Sequence, residues 1–139
     1  MKYFYLSYYL TKNTPSYGGE GRIVIEKEKS LENNDSANTY KFSMINHSGT
    51  HIDSPNHFFK NGLKISDYPA EFWFFKSPRV IKVYLKPSEV LRCGKWCEDV
   101  REKDDIVLFR SGWSKFRKER KYIFRNTGVD PEVGLFLRI

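Results

Sequence analysis

The segment Asn46–Phe59 reads NHSGTHIDSPNHFF. This segment is the most informative part of the sequence, and the other segments are interpreted in relation to it. It holds all three histidines of the protein, His47, His51 and His57, with Asp53 between the second and the third. Imidazole and carboxylate are side chains that borderline divalent ions such as Zn²⁺ prefer. Their concentration in one short polar segment therefore indicates a metal site.

A strand is predicted immediately before this segment. Apolar and polar side chains alternate over Thr39–Ile45, which is the pattern of a half-buried strand. The side chains expected to face the core are Tyr40, Phe42 and Met44. Such a strand would place His47 at the edge of a sheet.

Gly49 is expected to give the segment its turn. A glycine can adopt positive φ, which would let His51 swing back toward His47. Asp53 follows His51 by two positions, so both side chains point the same way if the backbone is extended. Two imidazoles and one carboxylate would then share one site.

Pro55 is expected to stiffen the chain after these residues and to hold Ser54 in an extended conformation. His57 would then lie at the rim of the site without being a ligand. Histidines in loops are most often simply solvated, but the full string HxGTHxDxPxH is far more restrictive than a histidine pair. Three ligands beside an unliganded histidine are typical of a catalytic site with an open coordination position.

The string resembles the signature of the cyclase-like metal-dependent hydrolase family, which includes bacterial kynurenine formamidases and isatin hydrolases. Further stretches carry the same resemblance: Leu6–Ser7, Thr14–Gly18, Asp104–Trp113 and Asn126–Glu132. The resemblance covers nearly the whole chain, but only the first two thirds of a typical family member.

The resemblance implies an α/β fold, the three-layer β/β/α swivelling domain, here as a single domain over residues 1–139 that is incomplete at its C-terminus. It implies hydrolysis of an amide C–N bond in an aryl formamide or a cyclic amide, with a metal-activated water as nucleophile. On the matching positions, His47, His51 and Asp53 bind the metal, which we expect to be zinc or manganese. His57 then acts as the proton shuttle.

Aromatic residues are the candidates for substrate contact. Tyr17 stands where family members carry a substrate-contacting aromatic side chain, and Phe58 and Trp73 would also suit an aromatic substrate. For the run Phe72–Phe75, which includes Trp73, a role in the core is the favoured alternative.

The resemblance also implies a further histidine and a glutamate ligand from a segment beyond Ile139. No histidine follows His57 in this sequence. A partner subunit could supply those ligands. If they are lost, the chain is a catalytically inactive metal- or small-molecule-binding homologue. We also expect a homo-oligomer, because an incomplete domain would expose apolar core.

The net charge is +7, and much of the excess lies between Arg110 and Arg125, with Phe116, Tyr122 and Phe124 interleaved. The favoured interpretation is a solvated face whose aromatic rings enter the core, without a nucleic-acid partner. A basic nucleic-acid-binding module is the second alternative.

The chain has 139 residues, of which 40% are hydrophobic and 17% aromatic, so we expect a folded domain rather than disorder. No apolar run is long enough to cross a membrane. Lys2–Leu10 is interpreted as a strand rather than an export signal, which favours a cytoplasmic location. Cys93 and Cys97 are expected to be reduced thiols.

The remaining elements are predicted from local patterns. Alternating or continuous apolar residues predict further strands at Arg22–Lys27, Arg79–Leu85 and Ile106–Phe109, the last covered on both faces. Helices are predicted to start at Lys86–Glu89, at Ser114–Lys121, and after Asp130, which is a good N-cap in front of Pro131.

Overall fold

The computed structural model describes residues 5–19 and 21–137, and the chain divides after Ile52 into two compact units. Helices and small sheets both occur in it, as an α/β protein requires. Among the helices of the described residues, none has the length and apolar character of a membrane span.

The first unit contains an antiparallel hairpin of strands β1 (Val24–Lys29) and β2 (Thr39–Ser43). Ile25 of β1 lies opposite Phe42 of β2. The two strands are joined through a 3₁₀ helix at Leu31–Asn33. Both strands were predicted, since the alternation of apolar and polar residues is a local property of the sequence.

The face of β2 that was expected to be half-buried is exposed. Tyr40 is 58% exposed and Phe42 is 68% exposed. The prediction is wrong in this respect because a hairpin of two strands provides no opposing layer within its own unit. Ile23, just before β1, is buried instead, with 4% of its surface exposed.

The strand predicted over residues 2–10 does not form in the described residues 5–10, and residues 2–4 lie outside the described part of the chain. Tyr5 and Tyr9 are 100% and 93% exposed. High strand propensity is not enough here, because a strand forms only where another strand accepts its hydrogen bonds.

The strands of the second unit are β3 (Pro78–Lys82), β4 (Val90–Leu91), β5 (Ile106–Arg110) and β6 (Gly128–Val129). β3 pairs in parallel with β5, and β4 pairs in parallel with β6. The strands predicted at 79–85 and 106–109 are therefore confirmed in position, with the first ending three residues early. β5 is half-buried along 106–109 rather than fully covered.

An ion pair fixes the start of the parallel pair. The Arg79 guanidinium donates to Asp104 through Nε, at 2.7 Å, and through a terminal nitrogen, at 3.1 Å. The side chain of Asp104 is 3% exposed. The neighbouring Asp105 carboxylate accepts from the backbone N–H groups of Lys76 and Ser77. The two acidic residues thus tie the segment before β3 to the segment before β5.

The core of the second unit is a cluster of four buried aliphatic residues, Ile81, Val83, Leu91 and Val133. Partly buried side chains from β5 and from other segments pack around this cluster. Val133, which is 1% exposed, is the most deeply buried of the four.

Two short α-helices occur in the second unit, α1 (Arg120–Phe124) and α2 (Pro131–Phe136). The start of α2 is confirmed: the Asp130 carboxylate accepts from the N–H of Glu132, and Pro131 is the first helical residue. The helix predicted over 114–121 is instead a 3₁₀ helix at Trp113–Phe116 followed by α1.

The helix predicted to start at Lys86–Glu89 is wrong. Ser88 has φ of 61°, and the segment forms a turn in which the Glu89 carboxylate accepts from the backbone N–H of Lys86. A hydrogen bond from a backbone N–H to the side chain three residues later is also common at helix starts. Here it stabilises the turn that leads into β4. Cys93 and Cys97 are free thiols, as predicted.

Candidate metal centre

The structure brings His47, His51 and Asp53 together. One potential ligand atom from each lies within 4.8 Å of the others. His51 and Asp53 are exposed and His47 is half-buried. The three side chains thus converge at a solvent-accessible place, as the spacing of the motif predicted.

The ring of His51 is oriented by the backbone. Its Nδ1 lies 2.9 Å from the carbonyl oxygen of Gly49, and its Nε2 lies 2.8 Å from Nδ1 of His47. A carbonyl oxygen can only accept, so Nδ1 of His51 carries the proton and donates it. In the neutral ring this leaves the Nε2 lone pair directed at His47.

Gly49 has the backbone conformation that the sequence suggested, with φ of 66°. A Cβ at this position would also lie 2.7 Å from Cγ2 of Thr14, which is buried. A glycine is therefore needed both for its conformation and for the close approach of residue 14. This turn sets the carbonyl that holds the ring of His51.

The loop around Ser16 pairs with the motif. Ser16 and Ser48 form an isolated antiparallel bridge, and both are buried. The N–H of Tyr17 donates to the carbonyl of His47 at 3.3 Å, and the N–H of Gly49 donates to the carbonyl of Pro15 at 3.0 Å. These bonds hold the backbone on both sides of Ser48 in place.

Tyr17 lies against the first histidine as a result. The ring centroids of Tyr17 and His47 are 4.9 Å apart in an edge-to-face arrangement. Tyr17 is 76% exposed, so most of its surface faces solvent. The pairing of residues 15–17 with 47–49 joins segments distant in sequence, and no local pattern would have revealed it.

His57 ends a 3₁₀ helix at Pro55–His57. Ser54 before it is extended, with φ of −107° and ψ of 167°, as predicted from the proline. Nδ1 of His57 lies 3.9 Å from Oδ1 of Asp53. The ring of Phe58 packs edge-on against that of His57, at 4.5 Å.

Gly62 also contributes to this geometry, through a contact that the sequence does not reveal. A Cβ at position 62 would lie 2.4 Å from the carbonyl carbon of Pro55. The N–H of Asn56 also donates to the carbonyl of Leu63 at 3.0 Å. The turn after the motif therefore packs directly on the short helix that carries His57.

Trp73 belongs to an aromatic cluster with Tyr68 and Phe72, at centroid distances of 5.6 and 5.0 Å. The favoured core role for this run is wrong for Phe72, Phe74 and Phe75, which are 50%, 74% and 41% exposed, whereas Trp73 is half-buried. Contact of Trp73 with a substrate stays a prediction.

In the basic stretch from Arg110 to Arg125, the charged groups were expected to be solvated and the aromatic rings to enter the core. The structure agrees with this expectation only in part. Trp113 is buried, with 5% of its surface exposed, and Phe116 and Tyr122 are half-buried. Phe124, however, is 62% exposed. Most of the aromatic rings in this stretch thus turn inward, while most of its charged residues are exposed and Arg117 and Lys121 are half-buried.

Comparison with known proteins relates the chain to one family. Residues 4–138 match the family model described as "Putative cyclase". An uncharacterised protein of Haemophilus influenzae is 30% identical over 100 residues, which cover 66% of this chain and 68% of that protein. A kynurenine formamidase of Bacillus mycoides is 32% identical over 82 residues, and one of Bacillus anthracis is 30% identical over 90 residues.

The two kynurenine formamidase matches cover 59% and 65% of this chain, but only 34% and 38% of the enzymes. The chain therefore spans little more than a third of the length of these curated relatives.

Proposed function

Because the chain belongs to the cyclase family, we propose that it is a metal-dependent hydrolase of amide C–N bonds. The proposed substrates are aryl formamides or cyclic amides, by analogy with the relatives named kynurenine formamidase. The observation that carries the proposal is the convergence of His47, His51 and Asp53 within 4.8 Å. We further propose that residues 1–139 form one domain of the three-layer β/β/α swivelling fold.

The donor set fits a borderline divalent ion. Two imidazole nitrogens and one carboxylate oxygen suit Zn²⁺ or Mn²⁺, and three protein ligands are usual in catalytic zinc sites. A ligating histidine typically donates its other N–H to a backbone carbonyl, as His51 does to Gly49. His51 would bind through Nε2 and His47 through Nδ1, the two atoms that already face each other.

A zinc or manganese ion held there would polarise the substrate carbonyl and lower the pKa of water at the site toward about 7. His57 would receive the proton that water releases and return it to the departing nitrogen. The Asp53 carboxylate lies 3.9 Å from Nδ1 of His57, so the proposed shuttle stands beside the proposed ligand set.

Two exposed aromatic rings lie beside these histidines. Tyr17 contacts His47, and Phe58 contacts His57. Each of them would offer apolar surface to the aryl group of a substrate. Trp73, which packs against Tyr68, is proposed as a third contact.

Metal analysis and turnover test the proposal together. The protein is purified with Zn²⁺ or Mn²⁺, and metal content is measured for the wild type, His51→Ala and His57→Ala. We expect His51→Ala to bind the metal at least about tenfold more weakly. His57→Ala should keep the metal and lose hydrolysis of N-formylkynurenine and of a simple aryl formamide.

The outcomes separate the alternatives. Stoichiometric metal with no turnover of any such substrate would identify an inactive, metal-binding homologue. If His51→Ala leaves metal content unchanged, the proposed ligand set is wrong. Salt-dependent binding of DNA or RNA without metal would instead favour a basic nucleic-acid-binding module.

We also propose that the protein forms a homo-oligomer. Large apolar side chains are exposed in the described residues of both units, among them Phe42, Phe74 and Leu135. Such surface is usually covered by another subunit. Light scattering coupled to gel filtration should give a mass above 16.5 kDa. A cytoplasmic location stays a prediction that cell fractionation would test.

A further inference from the structure

A cavity of about 450 Å³ lies in the second unit, where the turn after β5 meets the segment after β3. This volume falls in the range of small-molecule sites in proteins. The cavity is lined mainly by basic and aromatic side chains, including Lys86, Lys115, Lys121, Trp113 and Phe116. None of these residues belongs to the candidate metal centre.

The lining carries an excess of positive charge. Three lysines border the cavity against one acidic residue, Glu89. The Glu89 carboxylate already accepts a hydrogen bond from the backbone N–H of Lys86. Lys121 also pairs with Glu119 at 2.9 Å, but both side chains are about half exposed, so this pair is weak.

Two of the ammonium groups are held against one ring. Nζ of Lys115 lies 4.8 Å from the centroid of Phe116, and Nζ of Lys121 lies 3.6 Å from it. The face of an aromatic ring attracts cations, so both ammonium groups are held beside the same ring in the lining of the cavity. An anion that enters the cavity would meet both of them there.

The inner wall is apolar and already formed. Trp113 is 5% exposed, and its Nε1–H donates to the carbonyl of Leu85 at 3.1 Å. Gly112 turns with φ of 77°, and a Cβ there would have no heavy atom within 4 Å. The backbone at Gly112 therefore leaves open space on the side of the cavity next to Trp113 in the chain.

We propose that this cavity binds a small aromatic carboxylate. The carboxylate contacts Lys115 and Lys121, and the ring of the ligand rests on the apolar wall at Trp113. A nucleic-acid strand is the competing ligand, although one ring on which a base could stack, Phe116, is already contacted by two ammonium groups. The proposal is independent of the metal centre and of the reaction proposed there.

The test uses benzoate, with benzamide as a neutral ring and inorganic phosphate as an anion without a ring. Each is titrated at low ionic strength and followed by calorimetry and by NMR shifts of the tryptophan indole groups. We expect benzoate to bind at one site and to shift the indole signal of Trp113, with benzamide at least about tenfold weaker. Phosphate should bind more weakly than benzoate and leave that signal unmoved.

Lys115→Gln and Lys121→Gln should each weaken benzoate binding about two- to fivefold. Lys118→Gln is the matched control, since Lys118 is an exposed lysine of the same segment outside the lining. Benzamide binding as tightly as benzoate, or equal affinities in all three variants, would overturn the proposal. Phosphate binding as tightly as benzoate would refute the aromatic requirement, and displacement of benzoate by a short oligonucleotide would assign the surface to nucleic acid.

Discussion

Gly49 and Thr14 approach each other so closely that a Cβ at position 49 would lie 2.7 Å from Cγ2 of Thr14. Gly49 also has φ of 66°, which costs any other residue conformational energy. We expect Gly49→Ala to lower the free energy of unfolding by about 1–3 kcal/mol. It should also weaken metal binding, because the Gly49 carbonyl orients His51. Urea unfolding and zinc titration measure the two effects.

A second substitution separates the steric contact with Thr14 from the backbone strain at position 49. Thr14→Ser removes the methyl group that collides with residue 49 and keeps the hydroxyl, which accepts from the N–H of Thr11. In the Gly49→Ala background it should restore part of the lost stability, and the backbone strain would remain. Gly134→Ala in α2 is the control and should be neutral or stabilising, since a Cβ there meets nothing within 4 Å.

The contact between Gly62 and Pro55 leads to a different prediction. A methyl group at position 62 would displace the backbone of the short helix that carries His57. We expect Gly62→Ala to cost about 1–3 kcal/mol of stability and to change the NMR signals of His57 more than those of His47. Gly94→Ala, where a Cβ meets nothing within 4 Å, should change neither. Unchanged stability in Gly62→Ala would show that the turn can shift freely.

The ion pair of Arg79 and Asp104 predicts a dependence of stability on pH. The hydrogen bonds from Arg79 hold the pKa of Asp104 below its usual range. Because the folded pKa is lower than the unfolded pKa of about 3.9, this stabilisation is complete above that value. It is lost as the pH falls from there through the lowered folded pKa.

Asp104→Asn should therefore destabilise the protein at pH 7 and flatten the acid part of its stability profile. Glu102→Gln, at an exposed position two residues earlier, should leave the profile unchanged. Urea midpoints measured from pH 7 to the acid limit of the folded protein give both curves. Parallel curves for the wild type and Asp104→Asn would contradict the role of this carboxylate.

Val133 and Leu135 on α2 allow a buried and an exposed aliphatic residue of the same helix to be compared. Val133 is 1% exposed and packs in the aliphatic cluster, whereas Leu135 is 71% exposed. We expect Val133→Ala to cost about 2 kcal/mol, from lost burial and the cavity it leaves. Leu135→Ala should change stability by less than about 0.5 kcal/mol. Equal losses would mean that α2 is covered on both sides in solution.

Much of the local structure could be predicted because its causes are local. The alternation in β1 and β2, the Asp130 cap before Pro131 and the positive φ of Gly49 depend on neighbouring residues alone. The same holds for the candidate ligands, which lie within seven positions of the chain from His47 to Asp53. The turn at Gly49 that brings them together is local, although contacts with residues 14–17 hold its backbone in place.

The features that were not predicted depend on tertiary contacts with segments that the sequence does not identify. Residues 5–10 have strand propensity but pair with no strand in the described part of the chain. The burial expected for Phe42 required a covering layer, and the close contact of Gly62 with Pro55 required the turn to fold back. Propensity describes what a segment can do, and tertiary contacts decide whether it does so.

The three small sheets have a consequence for how this chain behaves at high concentration. Each described strand pairs on one side only, so each presents a second row of backbone donors and acceptors. In β1 four successive charged residues, Glu26–Lys29, discourage recruitment of another chain through that row. In β5 the charged residues Asp105 and Arg110 only flank the apolar run IVLF, so amyloid-like stacking should begin there, and a lysine placed within that run should suppress it.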